Sequence, residues 1–355
     1  MGVLPEISVI LPMYNVKKYV EQCVDSILGQ DFKDFEVILV DDVSTDGSLE
    51  VCESRYGRLG NVRILRHTKN MGASAARNTA LWKAGGKYVT FVDSDDVLMP
   101  NALSLMHDVA VATGAEVVAG NAHFRSLEEG GSVIRPGVQL QVITPFVKDF
   151  CKEKVQMLPP LPERREAVLS AYRTLSIASY PWGKLFVRDF LIDRRIFFPE
   201  ERIWPDDMLF MLPCLIRAER YAVMTEPFYI YRIHGGSITH SKKTAEHAGF
   251  LAESELHGMR YLDQYANDEF FRDVPGLHET IKEIFILRIM QERRDYFAET
   301  LKGRDMDVVV HSVLEKFRGE EVSFAQVHFR LANLLYSELL ALQEENDRLR
   351  ASGKG

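Results

Sequence analysis

The 355-residue sequence predicts an α/β fold: a Rossmann-like, mostly parallel central sheet flanked by helices, followed by a helical C-terminal region. Three observations predict it. Apolar runs rich in β-branched residues alternate with helical patterns at a spacing of roughly 25–30 residues, as βαβ units require. Several of those runs end abruptly in carboxylates, the polar strand ends that a parallel sheet gathers along one edge. Beyond about Thr244 the strand patterns stop and long amphipathic segments take over.

Taken in order, Ile7–Leu11 is the first strand and Pro12-Met13-Tyr14-Asn15 a loop. Asn15 is placed to cap a helix whose apolar positions Val20, Cys23, Val24, Ile27 and Leu28 fall at helical spacing. Phe35–Val40 is the second strand, ending in Asp41-Asp42-Val43-Ser44-Thr45-Asp46-Gly47-Ser48. Val62–Leu65 is the third, and Asn70–Asn78 leads into a helix that stops at Gly85-Gly86. Tyr88–Val92 then reads as a buried strand, followed at once by Asp93, Asp95 and Asp96. Three clustered carboxylates repel one another unless a cation joins them, and a hard divalent ion bridging to phosphate is a natural one. Without a ligand, Asp95 and Asp96 would cap the helix near Asn101, with Asp93 solvated. The spacing does not fit an EF-hand loop, because Leu98 stands where the glycine belongs.

Composition narrows the function classes. With 46% hydrophobic and 26% charged residues the chain is that of an ordinary globular protein. A net charge of -8 argues against a general nucleic-acid binder. Four cysteines without CxxC spacing fit a reducing compartment and no zinc site. No apolar window is long enough for a membrane span, and the N-terminus lacks a secretory leader pattern, so a cytoplasmic protein is expected, with a peripheral place at the inner membrane face left open. Neither GxGxxG after the first strand nor GxxxxGK[ST] is present, which disfavours dinucleotide oxidoreductases and P-loop NTPases.

The ordered segments SVILPMYN, VDDVSTDGS, NMGASAARNTAL and FVDSDD resemble the nucleotide-binding half of family 2 glycosyltransferases, which have the GT-A fold. One departure is Val43, where a glycine commonly follows the paired acids. The resemblance implies an α/β transferase domain over 1–240, with a nucleotide-binding half at 1–120 and an acceptor-side half at 121–240, and a helical region at 241–355. It implies that Pro12 and Tyr14 pack near the nucleobase, with Asn15 among the donor contacts. Asp42, with Asp41, would accept a hydrogen bond from a base N–H, and Arg77 would supply positive charge near the nucleotide. Asp93 would reach the ribose beside Ser94, while Asp95, with Asp93 and His234, would hold Mn²⁺ or Mg²⁺ against the diphosphate.

In the second half, 125–162 has poor periodicity: irregular structure, short edge strands and an insertion over the site all fit. Tyr180-Pro181-Trp182-Gly183-Lys184-Leu185-Phe186 is similar to an acceptor-side segment of the same family. Trp182 would offer a sugar-stacking face or anchor the subdomain, and Lys184 a charge for a phosphate. Asp206-Asp207 precedes an apolar helix, where acids also serve as an N-cap. The family often has Glu-Asp there, the second acid being the base, so Asp207 is expected as catalytic base and Asp206 as its shortened support. Glu226–Thr239 reads as a strand running into a Gly-rich loop, with Arg232 and His234 near metal or diphosphate. Leu335, Leu339, Leu342 and Leu349 fit a seam of only about two heptads, which suits a helix packing on its own chain or fraying as well as self-association or docking on a membrane-bound complex.

The implied activity is inverting transfer of a sugar from a nucleotide-sugar donor, UDP-linked, to a saccharide or lipid-linked acceptor. Two rivals remain: a catalytically degenerate scaffold, which the Asp206 replacement leaves open, and a sugar nucleotidyltransferase, which would show a Gly-rich basic loop after the first strand.

Overall fold

The computed structural model describes residues 4–126, 133–136, 154–160, 180–201 and 203–234, and positions 254, 257–263, 278, 279, 281, 282, 285 and 289. The chain forms two compact units, Met1–Lys242 and Lys243–Gly355.

The first unit is built on one sheet. Its strands are β1 (Ile7–Met13), β2 (Phe35–Asp41), β3 (Val62–Arg66), β4 (Tyr88–Phe91), β5 (Val97–Leu98), β6 (Val117–Ser126), β7 (Val133–Pro136), β8 (Val155–Met157), β9 (Lys184–Val187) and β10 (Tyr221–Ile233). The order is β3-β2-β1-β4-β9-β6-β10-β5, with β7 beside β6 and β8 beside β10. The pairs β3-β2, β2-β1, β1-β4 and β6-β10 are parallel, while β9 runs antiparallel to both β4 and β6.

Burial explains why the central strands read so clearly. All seven residues of β1 and of β2 are buried, as expected where both faces of a parallel sheet are covered. Each buried Val, Ile or Leu side chain contributes roughly 1.5–3 kcal/mol. Helix α1 (Val20–Leu28) turns Val20, Cys23, Val24 and Ile27 inward. Helix α2 (Ser48–Tyr56) follows the second acidic loop. Helix α3 (Ala73–Lys83) buries Ala75, Ala76 and Ala80, small residues that allow close packing. The remaining helices are α4 (Ala102–Thr113), α5 (Arg188–Asp193) and α6 (Asp206–Arg217). Gly120 on β6 is required by its neighbour, since a Cβ there would meet the Phe228 ring of β10 at 1.5 Å.

Several expectations are corrected. β1 continues through Pro12 and Met13, because these pair with Val40 and Asp41 of β2. Asn15 does not cap α1; the N-cap is Tyr19, without a side-chain bond. Asn15 sits instead at φ +53 and accepts the Thr45 N–H at 2.8 Å. The N-cap of α6 is Pro205, so Asp206 and Asp207 lie inside the first turn. Within 125–162, β7 and β8 are short strands; 127–132 and 137–153 lie outside the described residues. So do the Gly235–Thr239 loop and the Leu335–Leu349 seam. No helix among the described residues is long and apolar enough to cross a membrane.

Val43 adopts φ +66, a region that costs a β-branched residue about 1–3 kcal/mol. This is the position at which glycine was expected, and the turn keeps its shape because the Asp41 carboxylate accepts the Ser44 N–H at 3.2 Å.

In the second unit the described residues are helical. Leu262, Ile281, Phe285 and Ile289 are buried, and Lys282 pairs with Asp263 at 2.8 Å.

Candidate active site

The C-terminal ends of β1, β2 and β4 lie side by side, and backbone bonds lock their loops together. The Asp42 N–H donates to Met13 O at 2.8 Å and the Val92 N–H to Ile10 O at 2.9 Å. The Ser94 hydroxyl donates to the Pro12 carbonyl at 2.7 Å. Ser94 is therefore engaged in joining β4 to β1, with its hydroxyl already used. Tyr14, half exposed at 50%, stands open at this edge.

Asp41 and Asp42 are both buried, with different partners. Asp41 accepts from the Ser44 N–H and lies 3.7 Å from the Arg66 guanidinium. Asp42 accepts the Met71 and Gly72 N–H groups at 2.8 and 2.7 Å. Its Oδ1 also meets His67 Nδ1 at 2.8 Å, and His67 Nε2 meets the Thr79 hydroxyl at 3.0 Å. A carboxylate has about four acceptor positions. Three are filled here, leaving one on Oδ2. His67 and Thr79 were not signalled by the sequence, because the contact joins the ends of β2 and β3 to α3 and follows no local spacing.

A second cluster centres on Arg77 of α3. Its guanidinium is buried and donates to Asp93 Oδ1 at 2.7 Å and to Asp207 Oδ1 at 3.4 Å, with Asp206 Oδ2 at 3.8 Å. One cation thus meets acids from the end of β4 and the start of α6. It rests over the Phe198 ring, 5.1 Å from the centroid, and Asn78 pins the Phe198 backbone through bonds of 2.8 and 3.0 Å. Phe198 in turn stacks on Phe210 of α6 at 3.9 Å. The Ser74 hydroxyl donates to Asp206. Burial opposes the Arg77 charge, but Asp93, Asp207 and Asp206 outweigh it and hold the group protonated. Burial pushes the Asp207 carboxyl well above the usual range, Asp206 adds to the rise, and Arg77 opposes it. A carboxylate raised this way is a stronger base than a solvated one.

The third cluster joins the loop after β4 to the end of β10. Asp96 is fully buried and accepts the Tyr229 hydroxyl at 2.8 Å and the Arg232 N–H at 2.7 Å. The Asp93 N–H donates to the Tyr229 oxygen at 3.0 Å. The Arg232 side chain donates to the Asp95 and Asp96 carbonyls, to Gln22 Oε1 at 2.6 Å and to Tyr19 O at 3.2 Å. Arg232 is therefore spent on holding the acidic loop to α1. His234 stacks on Tyr19 at 4.4 Å, and its Nε2 lies 3.0 Å from Asp95 Oδ2. Burial raises the Asp95 carboxyl, Asp93 adds to this, and His234 opposes it.

The three expected metal ligands do not gather as one set. Among the described residues no group of three or more His, Cys, Asp or Glu is arranged to hold a metal. Asp93 pairs with Arg77, while Asp95 and His234 remain in contact. These two fit a cation site in part. His234 Nδ1 is buried without a partner among the described residues, and a carboxylate and an imidazole are ordinary ligands for Mn²⁺. Two protein ligands suit an ion whose other positions are taken by phosphate and water.

The acceptor-side expectations for Trp182 and Lys184 meet a different environment. Trp182 is 2% exposed, with its ring stacked against Tyr180 at 4.7 Å and Tyr229 at 4.6 Å. The indole is enclosed by tyrosines and anchors β9 to β10. Lys184 is buried, donating to the Tyr180 carbonyl at 2.5 Å. Burial lowers its pKa to about 8, against the opposing influence of Asp207.

The low Lys184 value has a consequence for stability. The unfolded chain binds a proton here up to about pH 10.5, whereas the fold releases it near pH 8, so stability rises with pH between these values. Lys184→Met should abolish that rise, worth roughly 2 kcal/mol, in urea denaturation at pH 7.5 and pH 10. A slope unchanged by the substitution would contradict it.

The model for Glycosyl transferase family 2 matches residues 8–159. The glycosyltransferase EpsJ of Bacillus subtilis is 31% identical over 236 residues, which span 66% of this chain and 63% of that protein. The glycosyltransferase GlyG of Streptococcus pneumoniae is 31% identical over 232 residues, spanning 65% of this chain and 72% of that one. The crystal structure of Staphylococcus aureus TarS 1-349 in complex with UDP-GlcNAc superposes with a TM-score of 0.58 at 23% identity, over 84% of this chain and 76% of that one. That likeness concerns the fold, which is GT-A. The four motifs, the sheet edge they share and the identity to GlyG agree: this chain belongs to the family 2 glycosyltransferases.

Proposed function

We propose that this glycosyltransferase moves a sugar, with inversion, from a UDP-sugar to a hydroxyl of a saccharide or lipid-linked acceptor, in surface polysaccharide or glycoconjugate synthesis. The observation that carries the proposal is the Arg77 cluster. It sets a half-buried carboxylate held above its usual pKa, Asp207, on the same guanidinium as the acid that follows β4. Asp207 takes the proton from the acceptor hydroxyl as its oxygen attacks the anomeric carbon. The bond to the diphosphate breaks on the opposite face, so the configuration inverts. Asp206, held by Ser74, supports the base from the same turn.

On the donor side, the free Asp42 acceptor position suits a base that presents an N–H, as uracil does and cytosine at N3 does not. Tyr14 offers an exposed ring for stacking at the same edge, with Pro12 near the end of β1 and Asn15 in the turn that follows. Asp95 and His234 would hold Mn²⁺ or Mg²⁺, which supplies positive charge to the leaving diphosphate. The buried thiols Cys23, Cys52 and Cys214 are free, which suits a reducing, cytoplasmic setting.

The acid that reads the base depends on His67. His67→Phe removes one donor to Asp42 and should raise the donor KM roughly tenfold while kcat stays within about twofold, since a hydrogen bond to a charged group contributes about 1.5–3 kcal/mol. Equal loss in kcat would place His67 in the chemistry instead. The reaction itself is tested by proton NMR of the transfer product as it forms. An anomeric configuration opposite to the donor's is expected; a retained one would overturn direct displacement by an Asp207-activated hydroxyl.

A further inference from the structure

We infer that Arg77 is a positioning residue that couples the two halves of the site, so that donor binding and the base Asp207 are felt by one another through a shared guanidinium. The inference rests on the reading of Asp93 as a donor contact and Asp207 as the base, and adds a link between them.

The geometry carries it. The guanidinium is a rigid planar fork. One terminal nitrogen is bound to Asp93 at 2.7 Å, and the other reaches Asp207 at 3.4 Å and Asp206 at 3.8 Å. The fork cannot turn toward one side without moving at the other. Its support is fixed as well: the plane lies over Phe198, whose backbone is gripped by Asn78 from the same helix as Arg77. Its Nε is buried with no partner among the described residues. One positive charge is divided among three acids, and any change in the claim of one alters what is left for the others. An anionic nucleotide on the Asp93 side competes with Asp207 for that charge. Binding would then loosen Arg77 from Asp207 and leave the carboxylate more basic when donor is in place. Coupling of this kind is reciprocal.

Reciprocity gives the test. Titrate UDP with Mn²⁺ into wild-type protein, Asp207→Asn, Arg77→Lys and the double variant, by calorimetry. Asparagine can still accept a hydrogen bond but carries no charge, so its hold on the cation is weaker, and Asp207→Asn should tighten UDP binding roughly fivefold. Lysine keeps the charge but cannot fork, and in that background the same substitution should change affinity less than about twofold. Field effects that bypass Arg77 would act equally in both backgrounds, and equal factors would overturn the coupling. If Arg77→Lys melts far below wild type, Arg77→Gln takes its place in the cycle under the same criterion. Wild-type protein that binds no UDP overturns the donor reading, and the coupling with it. UDP binding with equal factors overturns the coupling alone.

Discussion

Asp207→Asn is expected to lower kcat by about 10³-fold while keeping the fold and not weakening nucleotide binding. The amide has the shape of the carboxylate, so the first turn of α6 and its packing on Phe198 through Phe210 are kept. What is lost is the ability to take a proton. The pH profile provides a second mark. Burial and Asp206 hold the Asp207 carboxyl above the usual range, and the base works only when deprotonated. Wild-type kcat/KM should therefore fall as pH drops through a value above that of an ordinary aspartate, and the residual rate of the variant should lack this limb. Kinetics of wild type and variant from pH 4.5 to 9 would show it. A variant with more than about a tenth of wild-type kcat would remove Asp207 from the role of base.

Asp96→Ala is expected to destabilise the first unit by about 3 kcal/mol, because two buried donors lose their acceptor at once. Those donors are the Tyr229 hydroxyl and the Arg232 N–H. The same change frees the loop carrying Asp93 and Asp95 from β10, so affinity for nucleotide with metal should fall along with stability. Asp96→Asn should be milder, about 1 kcal/mol, since it keeps one acceptor oxygen and sheds a charge that burial disfavours. Denaturant unfolding of both variants checks the order. Equal losses would mean that the charge, rather than the acceptor pair, holds the loop.

These two acids differ in how far the sequence discloses them. Asp207 could be read from its place before an apolar helix and from family resemblance. Asp96 could be seen only as one of three clustered acids; its inward turn depends on Tyr229 and Arg232, which are distant in sequence. The same division holds elsewhere. β1, β2 and β4 were legible because strands buried on both faces are continuous apolar runs. The two-residue β5 was not, since it exists only through pairing with Tyr229 and Ile230 of β10. Trp182 could be read as a sugar platform or as an anchor, because sequence shows a ring and not what covers it; the tyrosines of β10 cover it, as an anchor requires. Asn15 looked like a cap because its residue type favours one, but Thr45 claims its side chain. The His67 bridge between Asp42 and Thr79 joins elements whose meeting no local pattern encodes.

The most direct test of the central claim, that this sheet edge is a nucleotide-sugar site, is a thermal-shift panel. Nucleoside diphosphates and their sugar conjugates are each added with Mn²⁺, Mg²⁺ or EDTA. A ligand that binds only the folded state at 100 times its Kd stabilises by about 2.7 kcal/mol. A rise in Tm with UDP and one UDP-sugar, lost in EDTA, is the predicted result. Well-folded protein whose Tm moves with none of them would contradict it.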